Sequence, residues 1–227
     1  GHKMGELLAE EATQEKIMAM LDTLGISCIE TGFYGHGCND SLLTLPSRVE
    51  LHNARLSLLC PTRRADSRAE DEDYLLRIAA SDYPTVAVVG KSSLYHVTRV
   101  LGTTPEENLS MIRDTVAYLT AAGKRVVFDA EHFFDGFAED REYALSVVNA
   151  ACEAGAHTVA LCDTNGGMLP ETVAEVVGAV VAAVPSVAVG VHCHNDIGMA
   201  DACTVAAVAA TCTETGYTAG VYCNSCE

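Results

Sequence analysis

At 227 residues and 49% apolar content the chain is long enough to bury a large core, and one α/β domain over 1–227 is the expectation. Its 31 acidic against 14 basic residues give a formal charge of -17, which excludes nucleic acid or an anionic membrane held by the general field and leaves small-molecule substrates. No apolar stretch reaches the roughly 18 residues that a membrane span needs. The ten cysteines follow no secretory segment, and several sit singly in apolar runs, as Cys28, Cys152, Cys162 and Cys193 do; reduced thiols and a cytoplasmic location are expected. The opening Gly1-His2-Lys3-Met4 reads as a cloning remnant or a fragment boundary, with no function hung on it.

Along the chain, short β-branched runs alternate with longer helical patterns, the signature of β-α units around a parallel sheet. Six strands are predicted, at Ser27 to Glu30, Arg55 to Leu59, Thr85 to Val89, Arg125 to Asp129, Thr158 to Leu161 and Val187 to Val191. Helices are predicted at Glu15 to Leu24, Pro105 to Ala122, Glu139 to Glu153 and Pro170 to Val184, several opened by the Pro, Thr or acidic residues that helix starts require. The charge-dense segment Thr62 to Asp73 reads as a solvated loop with the start of a helix. Its Arg63, Arg64 and Arg68 are open to either reading, phosphate contacts or ordinary solvated side chains.

Polar residues gather where these strands end: Glu30-Thr31-Gly32, Gly90-Lys91-Ser92, Asp129-Ala130-Glu131-His132, Cys162 to Gly167, and His192 to Asp196. Polar groups at the carboxyl ends of successive parallel strands are how barrel enzymes build a site, although singly each has a plainer use as a turn, a cap or a solvated side chain. The run Val191-His192-Cys193-His194-Asn195-Asp196 is the most specific. Residues two apart on a strand share a face, so His192 and His194 can reach one divalent cation while Cys193 turns away. Two hydrogen-bonded histidines near a strand end are the alternative. The following Asn195-Asp196 favours the metal, because polar side chains beside ligating histidines orient them.

The stretch Lys91 to Asp196 resembles the citramalate synthase branch of the isopropylmalate, homocitrate and citramalate synthase family, which also includes hydroxymethylglutaryl-CoA lyase-like enzymes. The resemblance is carried by Gly90-Lys91-Ser92 with His96-Val97-Thr98, by Thr103-Thr104 with Glu106-Glu107-Asn108-Leu109, and by Leu161-Cys162-Asp163-Thr164-Asn165-Gly166-Gly167 and His192-Cys193-His194-Asn195-Asp196. Phe128-Asp129-Ala130-Glu131-His132-Phe133-Phe134-Asp135-Gly136 is the branch-specific run, and Leu24-Gly25 through Ile29-Glu30 and Arg63-Arg64 extend the likeness upstream. The family implies a TIM (β/α)8 barrel, of which this chain holds the second to seventh strands. The Arg-Asp-Gly motif at the end of the family's first strand has no counterpart before Glu15, and the Gly-Asn element after its eighth has no clear one. Thr218 to Tyr222 is a candidate remnant strand, Asn224 is left unassigned as a ligand, and Cys223 with Cys226 is a redox or metal pair only as a minor reading. A barrel open at that seam exposes unpaired edges, so a homo-oligomer, or a terminal segment folded over the gap, is expected.

The resemblance further implies a Claisen-type condensation of acetyl-CoA with a 2-oxo acid, pyruvate foremost, in branched-chain amino acid (isoleucine) biosynthesis. It casts Glu131 as the catalytic carboxylate that assists proton removal. Thr164, Asp163, Lys91 and Asn195 belong to the substrate-binding set, Thr164 on the oxo-acid carboxylate and Asp163 and Asn195 as orienting residues. His192 and His194 are the ligands of a divalent metal, with manganese, magnesium and zinc all compatible. A catalytically inactive paralogue or fragment is one alternative, given the missing Arg-Asp-Gly motif. A metal-dependent hydrolase is the other, disfavoured because its His-x-His belongs on the first strand rather than the sixth observed.

Overall fold

The predicted alternation becomes a six-stranded, all-parallel sheet in a computed structural model that describes residues 11–38 and 40–211. The strands β1 (Cys28–Phe33), β2 (Arg55–Pro61), β3 (Thr85–Lys91), β4 (Arg125–Glu131), β5 (Thr158–Asp163) and β6 (Ala188–Cys193) lie side by side in chain order. The helices are α1 (Glu11–Thr23), α2 (Asp73–Ala80), α3 (Pro105–Ala121), α4 (Phe133–Glu139), α5 (Arg141–Glu153), α6 (Pro170–Ala183) and α7 (Ala200–Thr211). Sequential parallel strands with helical crossovers make a TIM-type barrel, here incomplete, with β1 and β6 as the two edges among the described residues. Thr218 to Tyr222, Cys223, Asn224 and Cys226 lie outside the described residues.

Strand alternation divides the side chains between two layers. Leu58, Val88, Phe128, Leu161 and Val191 face the helices and are buried, each contributing about 1.5–3 kcal/mol relative to exposure. On the other face Ala87, Val127 and Ala160 pack with Leu59 in a small second cluster, so the inner wall of the sheet is lined by short side chains. Every strand runs past its apolar stretch. β2 to β6 end at Pro61, Lys91, Glu131, Asp163 and Cys193, and the ladder holds to the last residues through the pairs Lys91↔Glu131, Cys162↔His192 and Asp163↔Cys193. A polar side chain ends the hydrophobic pattern without ending the backbone ladder, and that is how these groups gain a rigid mount.

Helix starts follow local chemistry. Thr104 Oγ1 accepts from the Glu107 N–H with Pro105 at the first turn of α3, and Asp140 accepts from the Tyr143 N–H to start α5. The short α2 forms because Tyr74, Leu75 and Ile78 fall on one buried face. Between β3 and α3 a π-helical turn covers His96–Leu101 and ends on Gly102 in the left-handed region. Gly136 in α4 lies against the backbone that leaves β3, so close that a Cβ there would collide with the Ser92 carbonyl oxygen. No helix among the described residues is long and apolar enough to cross a membrane.

Candidate active site

Register assembles the site. Lys91 pairs with Glu131 across β3 and β4, and Cys162 with His192 across β5 and β6. Ala130 is opposite Leu161, so the next step brings Glu131 level with Cys162. Lys91, Glu131, Cys162 and His192 therefore form one inward-facing row at the carboxyl end of four adjacent strands, with Asp129 two residues below Glu131 on the same face. The Lys91 ammonium donates to Glu131 Oε2, with about a fifth and a quarter of the two side chains exposed.

Deeper in the row, donor atoms of Asp129, Cys162 and His192 all lie within 4.8 Å of one another. Burial foremost, then the charges of Glu30 and Glu131, pushes the Asp129 carboxyl up to about 7. Burial also raises the Glu30 carboxyl and the Cys162 thiol. The His192 imidazole is pulled down by burial and then by His194, which favours the neutral form that ligates metal. Its Nε2 is closed to solvent and has no hydrogen-bond partner among the described residues. An imidazole that carries an unpartnered buried nitrogen, together with a carboxylate and a thiol, is a donor set that fits a divalent cation. His194, just past the strand, stacks on His192 with ring centroids 5.0 Å apart and planes 11° off parallel. The structure thus brings the two expected ligands together as parallel plates, while the donors clustered with His192 come from β4 and β5.

The loops after β4 and β5 interlock above this row. Thr164 Oγ1 accepts from the His132 N–H at 2.8 Å, which leaves the hydroxyl proton available for a ligand. His132 has φ 57°, the one positive value at a non-glycine residue among those described, a conformation costing on the order of 1–3 kcal/mol unless its surroundings enforce it. They do: Nδ1 lies 3.2 Å from Asp135 Oδ2, which also accepts from Asn165, and the ring stacks on His96 at 3.7 Å. Burial, followed by His132 and Lys91, lowers the His96 pKa, and His96 Nδ1 is buried without a partner among the described residues.

The other expected residues are placed as supports. Asp163, 2% exposed, accepts from the Gly167 and Met168 N–H groups at 3.2 and 2.9 Å and so shapes the loop that carries Thr164. Asn195 is exposed and its Oδ1 accepts from the Ala200 N–H, securing the start of α7. Arg63 departs from both readings of its loop: it is 5% exposed and bridges Glu107 and Asp114, each at 2.7 Å. Arg64 pairs with Glu72 and Arg68 with Glu70, so each of the three carries an acidic partner. Beside them is a cavity of about 660 Å3, walled by Phe33, Leu59, Val89, Leu101 and Met111 and reaching Lys91 and Glu131. That size is within the range of small-molecule sites.

Sequence reasoning named Glu131 and His192 and missed that Asp129 and Cys162 face inward and cluster with His192. The signal was present as parity: Val127, Asp129 and Glu131 alternate onto one face of β4, as Ala160 and Cys162 do on β5. The His96 and His132 stack carried no such signal, because it joins a π-helical turn to a left-handed residue.

Fold and site together define a partial TIM-type barrel with acid-base and metal-fitting groups at the carboxyl ends of its strands. The chain belongs to the HMGL-like family, whose model matches residues 3–218. It is 42% identical over 204 residues to the (R)-citramalate synthase of Streptomyces coelicolor, covering 89% of this chain and 38% of that protein. Against the Sulfolobus acidocaldarius (R)-citramalate synthase it is 43% identical over 196 residues, 86% of this chain and 37% of the other. A 2-isopropylmalate synthase of Stenotrophomonas maltophilia shares 34% over 203 residues, 86% and 37% of the two chains. The chain thus spans under two-fifths of the length of these relatives. Among solved structures, HMG-CoA lyase of Bacillus subtilis superposes with a TM-score of 0.76 at 18% identity, over 94% of this chain and 69% of that one, a likeness of fold.

Proposed function

We propose that this chain is the barrel portion of an acyltransferase that joins acetyl-CoA to a 2-oxo acid, pyruvate foremost, in the manner of a citramalate synthase. The observation that carries the reading is the inward row of Glu131, Cys162 and His192, with Lys91 at its end and a cavity opening beside it. Glu131 would take the proton from the acetyl methyl group, with the Lys91 ammonium fixing its Oε2. Thr164 would give its hydroxyl proton to the oxo-acid carboxylate, on a loop that Asp163 holds from beneath. His192 and His194 would hold a divalent cation, which when bound supplies Lewis acidity at the oxo-acid carbonyl. The apolar wall formed by Leu59, Val89 and Met111 gives the acyl-CoA arm a dry surface next to Glu131.

The test is release of free CoA from acetyl-CoA with a panel of 2-oxo acids. Glu131→Gln in an active protein should lower turnover by about 10²–10⁴ with little change in stability. Full activity in that variant, or hydrolysis of amide or ester substrates in place of thioester release, would sink the reading.

A further inference from the structure

The three donors Asp129, Cys162 and His192 differ in kind from the histidine pair that the sequence singles out. They are a carboxylate, a thiol and an imidazole on three adjacent strands, so their separation is set by the sheet rather than by loops. Cys162 is 5% exposed, and His192 Nε2 is sealed from solvent with no hydrogen-bond partner among the described residues. Thiolate with imidazole suits zinc-class ions, whereas magnesium and manganese prefer oxygen ligands. Three protein ligands in a sheet-mounted cluster also leave a fourth tetrahedral position open.

We propose that Asp129, Cys162 and His192 form a thiolate-containing cation position selective for zinc-class ions, an alternative to the His192 and His194 pair that draws on the same His192 imidazole. On binding, the Cys162 S–H bond breaks, its proton leaves to solvent, and the sulfur lone pair forms the bond to the cation; no oxidant or reductant takes part. The position does not depend on the condensation chemistry, so its test is read by binding alone.

The experiment is titration of the reduced 227-residue chain with cobalt(II) as the zinc probe. One equivalent should produce a near-ultraviolet thiolate-to-cobalt charge-transfer band and release protons, and zinc should displace the cobalt. His194→Ala should keep the band, Asp129→Asn should weaken cobalt by at least about tenfold, and Cys162→Ser should abolish the band. Should Cys162→Ser fail to fold, the His194→Ala and Asp129→Asn variants still decide the matter. A band absent from the wild type, surviving in Cys162→Ser, or lost in His194→Ala would overturn the proposal. Activity assays do not enter, so failure here leaves the acyltransferase reading to its own test.

Discussion

Between β2 and α3, Arg63 and Glu72 are buried like core residues and held by opposite charges: Arg63 spans Glu107 and Asp114, and Glu72 takes the Arg64 backbone N–H, its guanidinium and the Ser67 hydroxyl. His36 Nε2 lies 2.9 Å from the other Glu72 oxygen. Across the sheet, Asp129, Cys162 and His192 are crowded with no opposite charge among them, and an imidazole nitrogen stands unpaired. Both arrangements cost desolvation. The first recovers it through fixed partners and so becomes scaffold; the second leaves it unrecovered and so keeps the capacity to bind. A buried charge therefore marks a site only when its partners are missing.

Breaking the scaffold should cost more stability than breaking the site. Burial pushes the Glu72 carboxyl up, but the hydrogen bonds of Ser67 and Arg64 outweigh it and bring it down to about 2. Because that lies below the unfolded value, the stabilisation is complete above the ordinary carboxylate range and is lost as pH falls from about 4.5 through about 2. Glu72→Gln should lower unfolding free energy by about 3 kcal/mol at pH 7, and urea melts should show the gap to wild type narrowing only below about pH 4.5. Arg63→Ala should cost about 2 kcal/mol, and Arg63→Lys should recover less than half of it, since one ammonium cannot span two carboxylates. A full rescue by lysine would reassign Arg63 to simple charge balance.

Smaller effects are expected within the site. Thr164→Val removes the bond to the His132 N–H and should cost about 1 kcal/mol in the same melts, while raising KM for the oxo acid more than it lowers kcat. Lys91→Met should change stability by less than about 1 kcal/mol, because both members of its ion pair stay in contact with water. A loss above about 2 kcal/mol there would move the Lys91 and Glu131 pair into the scaffold and weaken the contrast.

What the sequence revealed follows the range of the interactions involved. Short apolar runs located the six strands among the described residues, and Pro105 and Pro170 marked two helix starts, because these signals are local. Strand ends were read short because Lys91, Glu131 and His192 interrupt the apolar pattern while the ladder goes on. Short α4, built around Gly136, escaped notice, and α2 was read only as the start of a helix at the end of a charge-dense loop. His192 and His194 were legible as a two-residue spacing. Arg63 was not, because its partners stand 44 and 51 residues away and only the fold turns an exposed-looking arginine inward. Strand parity alone turns Asp129 and Cys162 inward, but bringing the two to the same depth needs the register between β4 and β5.

Gly136 carries a consequence for the working end of the barrel. With no side chain to act as a cushion, α4 rests directly on the Ser92 carbonyl, and Ser92 in turn donates its N–H to the Glu131 carbonyl. The exits of β3 and β4 are keyed backbone to backbone, so the spacing between Lys91 and Glu131 has the tolerance of covalent geometry rather than of flexible side chains. A single methyl at position 136 would act as a shim, prising the two exits apart and detuning a carboxylate that it never touches.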